Sequence, residues 1–370
     1  KVKKIYVGVA NKARKVKKAY VGVGGVARPF FSAEQKLSYY GTVTPLSQGR
    51  AYFQATSVGG YGLFGGGYNG DYLSTVDAYS TSLARSTPTE LSVARYDLAA
   101  TTVGDYGLFG GGHTTDDLSS DNIYSPTVDA YSASLVRSTP TELSGRRAIL
   151  AATTVGNYGL FGGGYLVLKN MEHLSFAIVD AYSASLVRST PTSLSEAKYG
   201  LAATTAGDFG LFGGGNDRTY QGSSVVDAYS ATLVRSTPTA LSEARNNLAA
   251  TSVGNYALFG GGNGFETVDA YSASLVRSTP TALSEARGNL AATSVGGYAL
   301  FGGGAWRITE FSSTVDAYSE TLVRSTPTGL SYSSEGLAAT SVGDYSLFGG
   351  GTDFGGYYNY VDAYTVDGGG

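Results

Sequence analysis

The stretch from Val268 to Gly304 reads VDAYSASLVRSTPTALSEARGNLAATSVGGYALFGGG, and variants of it recur seven times in the 370 residues. The Gly-Gly-Gly that follows a Phe begins at Gly65, Gly110, Gly162, Gly213, Gly260, Gly302 and Gly349. A period of about 40 to 50 residues with strand-like patterning is typical of a β-propeller blade, whereas paired helices would show a 3.6-residue periodicity. The sequence therefore predicts seven blades.

Each copy predicts four strands. Leu290 to Val295 is small and β-branched, as an innermost strand a near the propeller axis requires. A Gly-Gly pair, which suits a two-residue hairpin turn, separates it from strand b at Tyr298 to Phe301. Strand c is expected at Thr314 to Tyr318. Strand d is expected at Arg324 to Leu330, where the proline suits only an outer edge.

The ends of the chain predict how the ring closes. The last copy reaches strand c at Val361 to Tyr364 and has no strand d after it. Tyr40 to Arg50, before the first strand a, aligns with Arg85 to Arg95 except for a proline shifted by one. We therefore predict that the N-terminal segment supplies the missing strand, which leaves no unpaired edge within the ring. The fold class is all-β, with a propeller over 36–370.

The repeats resemble the kelch family of β-propellers over residues 40–364. The shared features are the glycine run that ends strand b, the Val-Asp-Ala-Tyr strand, and an Arg sixteen residues after that Tyr, as from Tyr271 to Arg287. Kelch blades also carry a Trp early in strand d, whereas this chain has only Trp306, in a loop. The resemblance implies a divergent kelch-like propeller.

Residues 1–35 predict a separate basic arm. Val2 to Arg14 is repeated fourteen residues later as Val16 to Arg28, and each unit alternates apolar and polar residues around Ala10-Asn11 or Gly24-Gly25. This pattern predicts two short β-hairpins, which are too small to be stable alone. The unit resembles segments of phage and prophage structural proteins of gut Firmicutes that precede a variable distal domain. Attachment to other subunits is therefore expected.

Charge divides the chain in the same way. The arm has nine basic residues and one acidic residue, while the rest has 17 basic and 28 acidic residues. No nucleic-acid motif accompanies the basic arm, so attachment is favoured over nucleic-acid binding, and a flexible basic leader is the alternative. There is no Cys and no apolar run of membrane-spanning length. The chain starts at Lys1 with Met171 as its only Met, so we expect something to precede it.

The b–c loops differ in every copy, whereas the a–b and c–d turns are nearly invariant. A constant scaffold with one variable, aromatic-rich face favours recognition, and Tyr and Trp beside polar residues suit sugars. Neutral drift in loops that tolerate insertion is the alternative. The candidate ligand-binding residues are Tyr68, Tyr72, Tyr124, Tyr165, Tyr220, Phe265, Trp306, Tyr357 and Tyr358.

Two basic series repeat with the blades. The first is expected at one mouth of the central channel, where it would bind an anionic group or cap each blade by pairing with residues such as Glu243 or Glu285. It comprises Arg50, Arg95, Arg147, Lys198, Arg245 and Arg287, and Ser334 breaks it. The second is expected to be a solvated outer rim and comprises Arg85, Arg137, Arg188, Arg235, Arg277 and Arg324.

No pattern indicates an enzyme. His113 and His173 are the only histidines, which makes a poor metal site. Asp116, Asp117 and Asp121 lack EF-hand-like spacing. We expect neither metal nor cofactor, and a non-enzymatic protein.

The sequence-based hypothesis is a receptor- or carbohydrate-binding propeller of a phage or prophage-derived particle. Its partners would be a host cell-surface glycan or protein receptor and, through residues 1–35, other particle subunits or copies of itself; neither nucleic acid nor membrane insertion is expected. It would be located on a virion or other extracellular particle. The alternative is a protein-interaction scaffold in the bacterial cytoplasm or at the cell surface, and a polysaccharide-degrading enzyme ranks third.

Overall fold

The computed structural model describes residues 6–9, 12–15, 18–23, 26–32, 36–115, 123–307 and 309–366. These residues form strands, turns and loops, and seven four-stranded antiparallel sheets make a seven-bladed β-propeller. The predicted fold class is confirmed. Within the described residues there is no helix long and apolar enough to span a membrane.

Strands a and b follow the predicted hairpin closely. In blades 1 to 7, strand a covers Gln54–Val58, Ala99–Val103, Ala151–Val155, Ala202–Ala206, Ala249–Val253, Ala291–Val295 and Ala338–Val342. Strand b covers Tyr61–Gly65, Tyr106–Gly110, Tyr158–Gly162, Phe209–Gly213, Tyr256–Gly260, Tyr298–Gly302 and Tyr345–Gly349.

Strands c and d complete each blade. Strand c covers Val76–Ser80, Val128–Ser132, Val179–Ser183, Val226–Ser230, Val268–Tyr271, Val315–Ser319 and Val361–Val366. Strand d covers Arg85–Ser86, Arg137–Ser138, Arg188–Ser189, Arg235–Ser236, Arg277–Ser278 and Arg324–Ser325 in blades 1 to 6, and Leu37–Thr42 in blade 7. Three b–c loops carry small hairpins: Tyr165–Val167 with His173–Ser175, Ala305–Arg307 with Glu310–Phe311, and Thr352–Asp353 with Gly356–Tyr357.

Strand d is shorter than the predicted Arg324 to Leu330. It ends at Ser325, two residues before a proline that has no N–H for the ladder. Leu330 instead donates its N–H to the Ser313 carbonyl in the b–c loop. The repeated segment after Ser325 is therefore a connection that is hydrogen-bonded to its own blade, and not a long outer strand.

The predicted closure is confirmed. Leu37–Thr42 pairs antiparallel with Val361–Val366, with Thr42 opposite Asp362 and a bulge at Tyr40. Gly41 lies opposite Ala363, just as Ser86 lies opposite Ala78 in blade 1, so the aligned register was correct. The strand begins earlier than the aligned segment, and it is longer than strand d of any other blade.

The core lies between neighbouring blades. Leu63 and Val76 of blade 1 pack with Phe109 and Tyr131 of blade 2, and equivalent clusters recur round the ring. Gly65 at the end of strand b permits this packing, because a Cβ there would lie 2.8 Å from the Phe109 ring. At the centre, the strands a line a cavity of about 190 Å³, in which Gln54 replaces the Ala of the other blades.

The arm contains two hairpins, as predicted. Tyr6–Val9 pairs with Lys12–Lys15, and Lys18–Val23 pairs with Val26–Ser32. The predicted turn residues 10–11 and 24–25 lie outside the described residues.

Candidate functional site

The first basic series is buried inside the propeller, and not exposed at the channel mouth. Arg95 is 0% exposed, and its Nη2 lies 2.7 Å from Asp129 Oδ2 and 3.2 Å from the Phe109 carbonyl oxygen. A buried carboxylate on strand c needs a counter-charge, and this turns the guanidinium inward. The same burial holds for Arg50, Arg147, Lys198, Arg245 and Arg287. The prediction of an exposed anion-binding ring at the channel mouth is therefore wrong. The structure agrees with the alternative, in which each basic residue caps its blade by an ion pair.

The capping partners are mainly the strand-c aspartates, and not the predicted Glu243 or Glu285. Arg287 Nη2 lies close to Asp316, whereas its Nη1 is 3.8 Å from Glu285. Desolvation lowers the pKa of Arg287, and the charge of Asp316 acts in the opposite direction.

The second basic series is not merely a solvated rim. Arg137 Nη1 lies 3.0 Å from Asp129 Oδ1, and the Arg137 side chain is 26% exposed. Its five equivalents lie 2.8 to 3.3 Å from the Asp of their own blade. In most blades, one buried aspartate is therefore held between two arginines.

The Val-Asp-Ala-Tyr strand also binds the connection that arrives from the preceding blade. Ser92 donates its backbone N–H to Asp129 Oδ1 at 3.1 Å, and the Tyr131 hydroxyl donates to the Thr89 carbonyl at 2.7 Å. These repeated charged groups are therefore used in the frame of the propeller.

The variable b–c loops and the d–a connections meet on one face, which we call the variable face. In each blade the residue after the glycine triplet lies beside the residue after the first basic position, as in the bridges Ala51↔Tyr68, Tyr96↔His113 and Tyr199↔Asn216. The d–a connection and the b–c loop of one blade thus contribute side chains to the same patch.

Aromatic rings form a continuous row on this face, from blade 7 through blades 1 to 4. Neighbouring centroids are 4.8 to 6.5 Å apart along it. We call this row the aromatic arc; it comprises Tyr357, Tyr68, Tyr72, Tyr96, His113, Tyr124, Tyr165, His173, Tyr199 and Tyr220. The sequence analysis identified six of these residues and missed Tyr96, Tyr199, His113 and His173 as members.

Exposure differs along the arc. Tyr124 is only 6% exposed and packs with Ile123 and Ala148, so it supports its neighbours and does not contact a ligand directly. Tyr220, at the other end, is 60% exposed. Beyond it, amides continue the row, since Asn246 Nδ2 donates to Asn216 Oδ1 at 2.6 Å and Asn263 Nδ2 donates to Asn246 Oδ1 at 2.7 Å.

The other candidate residues lie apart from the arc. Trp306 lines a cavity of about 330 Å³ with Phe311 and three glutamates, namely Glu266, Glu285 and Glu310. Tyr358 stacks with Tyr332 and Tyr360, and its hydroxyl donates to Asp353. Phe265 is half-buried and has its backbone hydrogen-bonded to Gly262 and Arg287.

A ring of backbone hydrogen bonds surrounds the channel mouth on the variable face. The residue two after the first basic position in each blade donates its N–H to the equivalent residue of the preceding blade, at 2.8 to 3.1 Å, until the ring closes on itself. All seven have positive φ angles between 50° and 64°. The ring comprises Tyr52, Asp97, Ile149, Gly200, Asn247, Asn289 and Gly336. Nothing in the sequence analysis predicted it.

No group of three or more His, Cys, Asp or Glu that could hold a metal ion occurs among the described residues. His113 and His173 belong to the aromatic arc, where His113 packs at 4.8 Å on Tyr124 and His173 at 5.5 Å on Tyr220. Asp116, Asp117 and Asp121 lie outside the described residues.

The ring of seven four-stranded blades defines a β-propeller, a fold consistent with a binding or scaffold role. Among solved structures the chain is similar to the propeller YjhT, with a TM-score of 0.57 and 11% sequence identity over 76% of this chain and 99% of the YjhT chain. At this identity the likeness concerns the fold alone. No protein-family model and no curated protein matches the sequence. The kelch-like identity and the phage-like arm stay predictions.

Proposed function

We propose that the chain is a non-enzymatic binding protein that recognises a carbohydrate through the aromatic arc. The observation that carries the proposal is the continuity of the arc over five blades, on the one face where the repeats differ from each other. Tyrosine rings offer apolar faces and hydroxyl groups, and a sugar chain likewise presents C–H patches and hydroxyls. The length of the arc suits an extended glycan better than a single sugar unit.

The burial of the basic series changes the expected class of glycan. Arg95 and its equivalents are paired with aspartates inside the blades, so a carboxylated glycan would find no arginine from this series at the surface. A neutral glycan is therefore the expected ligand.

A glycan array probed with the purified protein tests this proposal. The variant Tyr68→Ala/Tyr220→Ala removes one ring near each end of the arc and should weaken binding at least tenfold. The control is Tyr40→Ala, which removes a ring of similar exposure, 55%, on the closing strand. Binding that survives in the arc variant, or that the control also loses, would contradict recognition by the arc.

We further propose that the protein belongs to a phage or prophage-derived particle, with a host-surface glycan as receptor and residues 1–35 as the attachment arm. The two-stranded sheets of the arm support this role, because hairpins of this size need a partner to be stable. Recovery of the protein in purified particles would support the proposal, and recovery only in a soluble complex would contradict it.

The alternative, a protein-interaction scaffold, is favoured by one observation. The Trp306 cavity combines aromatic side chains with three glutamates, and Phe354 beside it is 70% exposed. Such a cavity suits a lysine or arginine side chain of a protein partner. Pull-down with the wild-type protein and with Trp306→Ala separates the two functions, since only a partner bound in this cavity is lost from the variant.

A further inference from the structure

Oxygen-bearing side chains line the channel mouth inside the backbone ring. A cavity of about 150 Å³ lies there, and its polar lining consists of Gln54, Asp97, Asn247 and Asn289 among leucines and Ile149. The lining breaks the sevenfold symmetry of the propeller, because the equivalent residues in the other blades are apolar or glycine, apart from Tyr52. The backbone ring is held by main-chain groups, so the frame of the propeller does not determine which side chains stand here.

Asp97 is the only carboxylate in this lining. Its side chain has no hydrogen bond or ion pair to any residue that the structure describes. Asp97 lines this cavity, and burial raises the pKa of its carboxyl to about 7. The titratable groups that interact with it are the hydroxyls of Tyr52 and Tyr165, both neutral at this pH because burial raises their pKa values.

The amide side chains have oxygens available for a ligand. Asn289 donates its Nδ2 to Glu335 Oε2 at 2.9 Å, which leaves its Oδ1 as an acceptor. Asn247 Oδ1 lies over Gly200 of the backbone ring, 3.0 Å from where a Cβ of that residue would be. Together with Asp97 they form a donor set of hard oxygens, which is the kind that calcium binds.

The charge of the mouth has the opposite sign to the one the sequence suggested. The six basic residues expected there are buried against aspartates, whereas Asp97 lines the mouth cavity and Glu335 accepts a hydrogen bond from Asn289 of the same lining. A carboxylate in a recessed site without a counter-charge favours a cation.

We propose that the channel mouth is a binding site for one calcium-class cation, held by Asp97 with amide oxygens of Asn247, Asn289 and Gln54 and with water. Calcium accepts six to eight oxygens in flexible geometry, whereas magnesium requires a small octahedral cage. A cavity of about 150 Å³ has room for an ion and several waters. With one carboxylate, the affinity should be about millimolar, as in extracellular calcium modules.

Calorimetric titration and thermal unfolding of the full chain, with CaCl2 as the probe, test the site. At pH 8 the wild-type protein should bind one calcium, and at ten times the Kd its Tm should rise by about 2 °C.

Asp97→Asn should abolish the calcium response and yet fold well, since Asn tolerates the positive φ of 53° at this position. Asp105→Asn, an exposed change in an a–b turn on the opposite face, is the control and should keep the calcium response.

Three results would overturn the proposal: no heat and no Tm shift up to 20-fold the expected Kd (about 20 mM), an unchanged response in Asp97→Asn, or an equal response to MgCl2. Glycan binding, measured with and without a chelator, tests the aromatic arc independently. A negative calcium result would therefore contradict the cation site and not the aromatic-arc proposal.

Discussion

Blade 2 and the closing blade 7 hold the same buried aspartate by different means. In blade 2, Asp129 lies between Arg95 and Arg137 at 2.7 and 3.0 Å. In blade 7, Ser334 occupies the first basic position, and Asp362 accepts a hydrogen bond from the Tyr39 hydroxyl instead. The backbone N–H of Ser331 also donates to Asp362, as that of Ser92 donates to Asp129 in blade 2.

The difference shows what the two arginines are for. In a blade whose strand d has only two residues, the arginine on that strand bonds to the strand-c aspartate and so holds the short outer strand against the sheet. Blade 7 has a six-residue strand d and does not need that contact. Long pairing and buried ion pairs are thus two solutions to one problem, and the first avoids the desolvation of charged groups.

Removing the closing strand should have the largest effect. A chain that begins at residue 47 loses Leu37–Thr42 and the buried Leu46, which leaves blade 7 with an open edge, so we expect aggregation and no cooperative unfolding by circular dichroism. A chain that begins at residue 36 keeps both and should melt within about 2 °C of the full chain. Equal Tm values for the two truncations would contradict closure by this strand.

Removing one buried arginine should have the next largest effect. Arg95→Met leaves Arg137 as the one cation that pairs with Asp129 among the described residues and should lower the free energy of unfolding by about 3 to 5 kcal/mol. Lys198→Met in blade 4 is the matched control, because Lys198 Nζ is 3.9 Å from Asp227 and forms a weaker pair. Denaturant unfolding should give less than half the cost for Lys198→Met, and equal costs would show that packing, and not charge, determines the effect.

Removing the equivalent contact in blade 7 should cost less of the free energy of unfolding. Tyr39→Phe removes the hydroxyl that donates to Asp362 Oδ1 at 2.6 Å and should cost about 1.5 to 3 kcal/mol. Burial and the carboxylate of Asp362 raise the pKa of Tyr39, so the hydroxyl remains protonated and the cost should not vary between pH 6 and pH 9. Tyr40→Phe should cost little by the same measurement, because Tyr40 is 55% exposed.

Converting blade 4 to the common pattern should have the smallest effect. Lys198→Arg offers Asp227 a planar guanidinium that reaches about as close as Arg95 reaches Asp129, and we expect a gain of about 1 kcal/mol in denaturant unfolding. A loss of stability would mean that the bond from Lys198 Nζ to the Val225 carbonyl, at 2.8 Å, matters more than the ion pair.

Much of the fold could be predicted from the sequence because it depends on local and repeated signals. The turn pairs and the glycine triplets delimit strands a and b, and the missing last strand d indicates that the ends of the chain pair. The length of strand d could not be predicted, because it depends on where Leu330 and its equivalents donate their N–H groups.

The site was less predictable. Spacing placed Arg95 near the channel, but it does not show whether a guanidinium turns outward or inward, which here depends on the burial of Asp129. Tyr96 and His113 lie in two different loops, and their contact becomes visible only in the folded blade. A comparison of the variable loops therefore identified Tyr72 as a candidate and missed these two residues. The backbone ring depends on φ angles that a sequence reveals only through a tendency to Asn, Asp and Gly.

The backbone ring also bears on how this protein can change over evolution. The frame of the mouth uses main-chain N–H and C=O groups alone, so the residue at each of its seven positions is free to differ, as Tyr52, Asp97 and Gly200 already do. Any residue that tolerates a left-handed backbone can be exchanged there without moving a blade. A propeller of nearly identical blades can thus acquire a new ligand by one substitution at a time, because the backbone ring keeps the channel mouth the same whichever residues it carries.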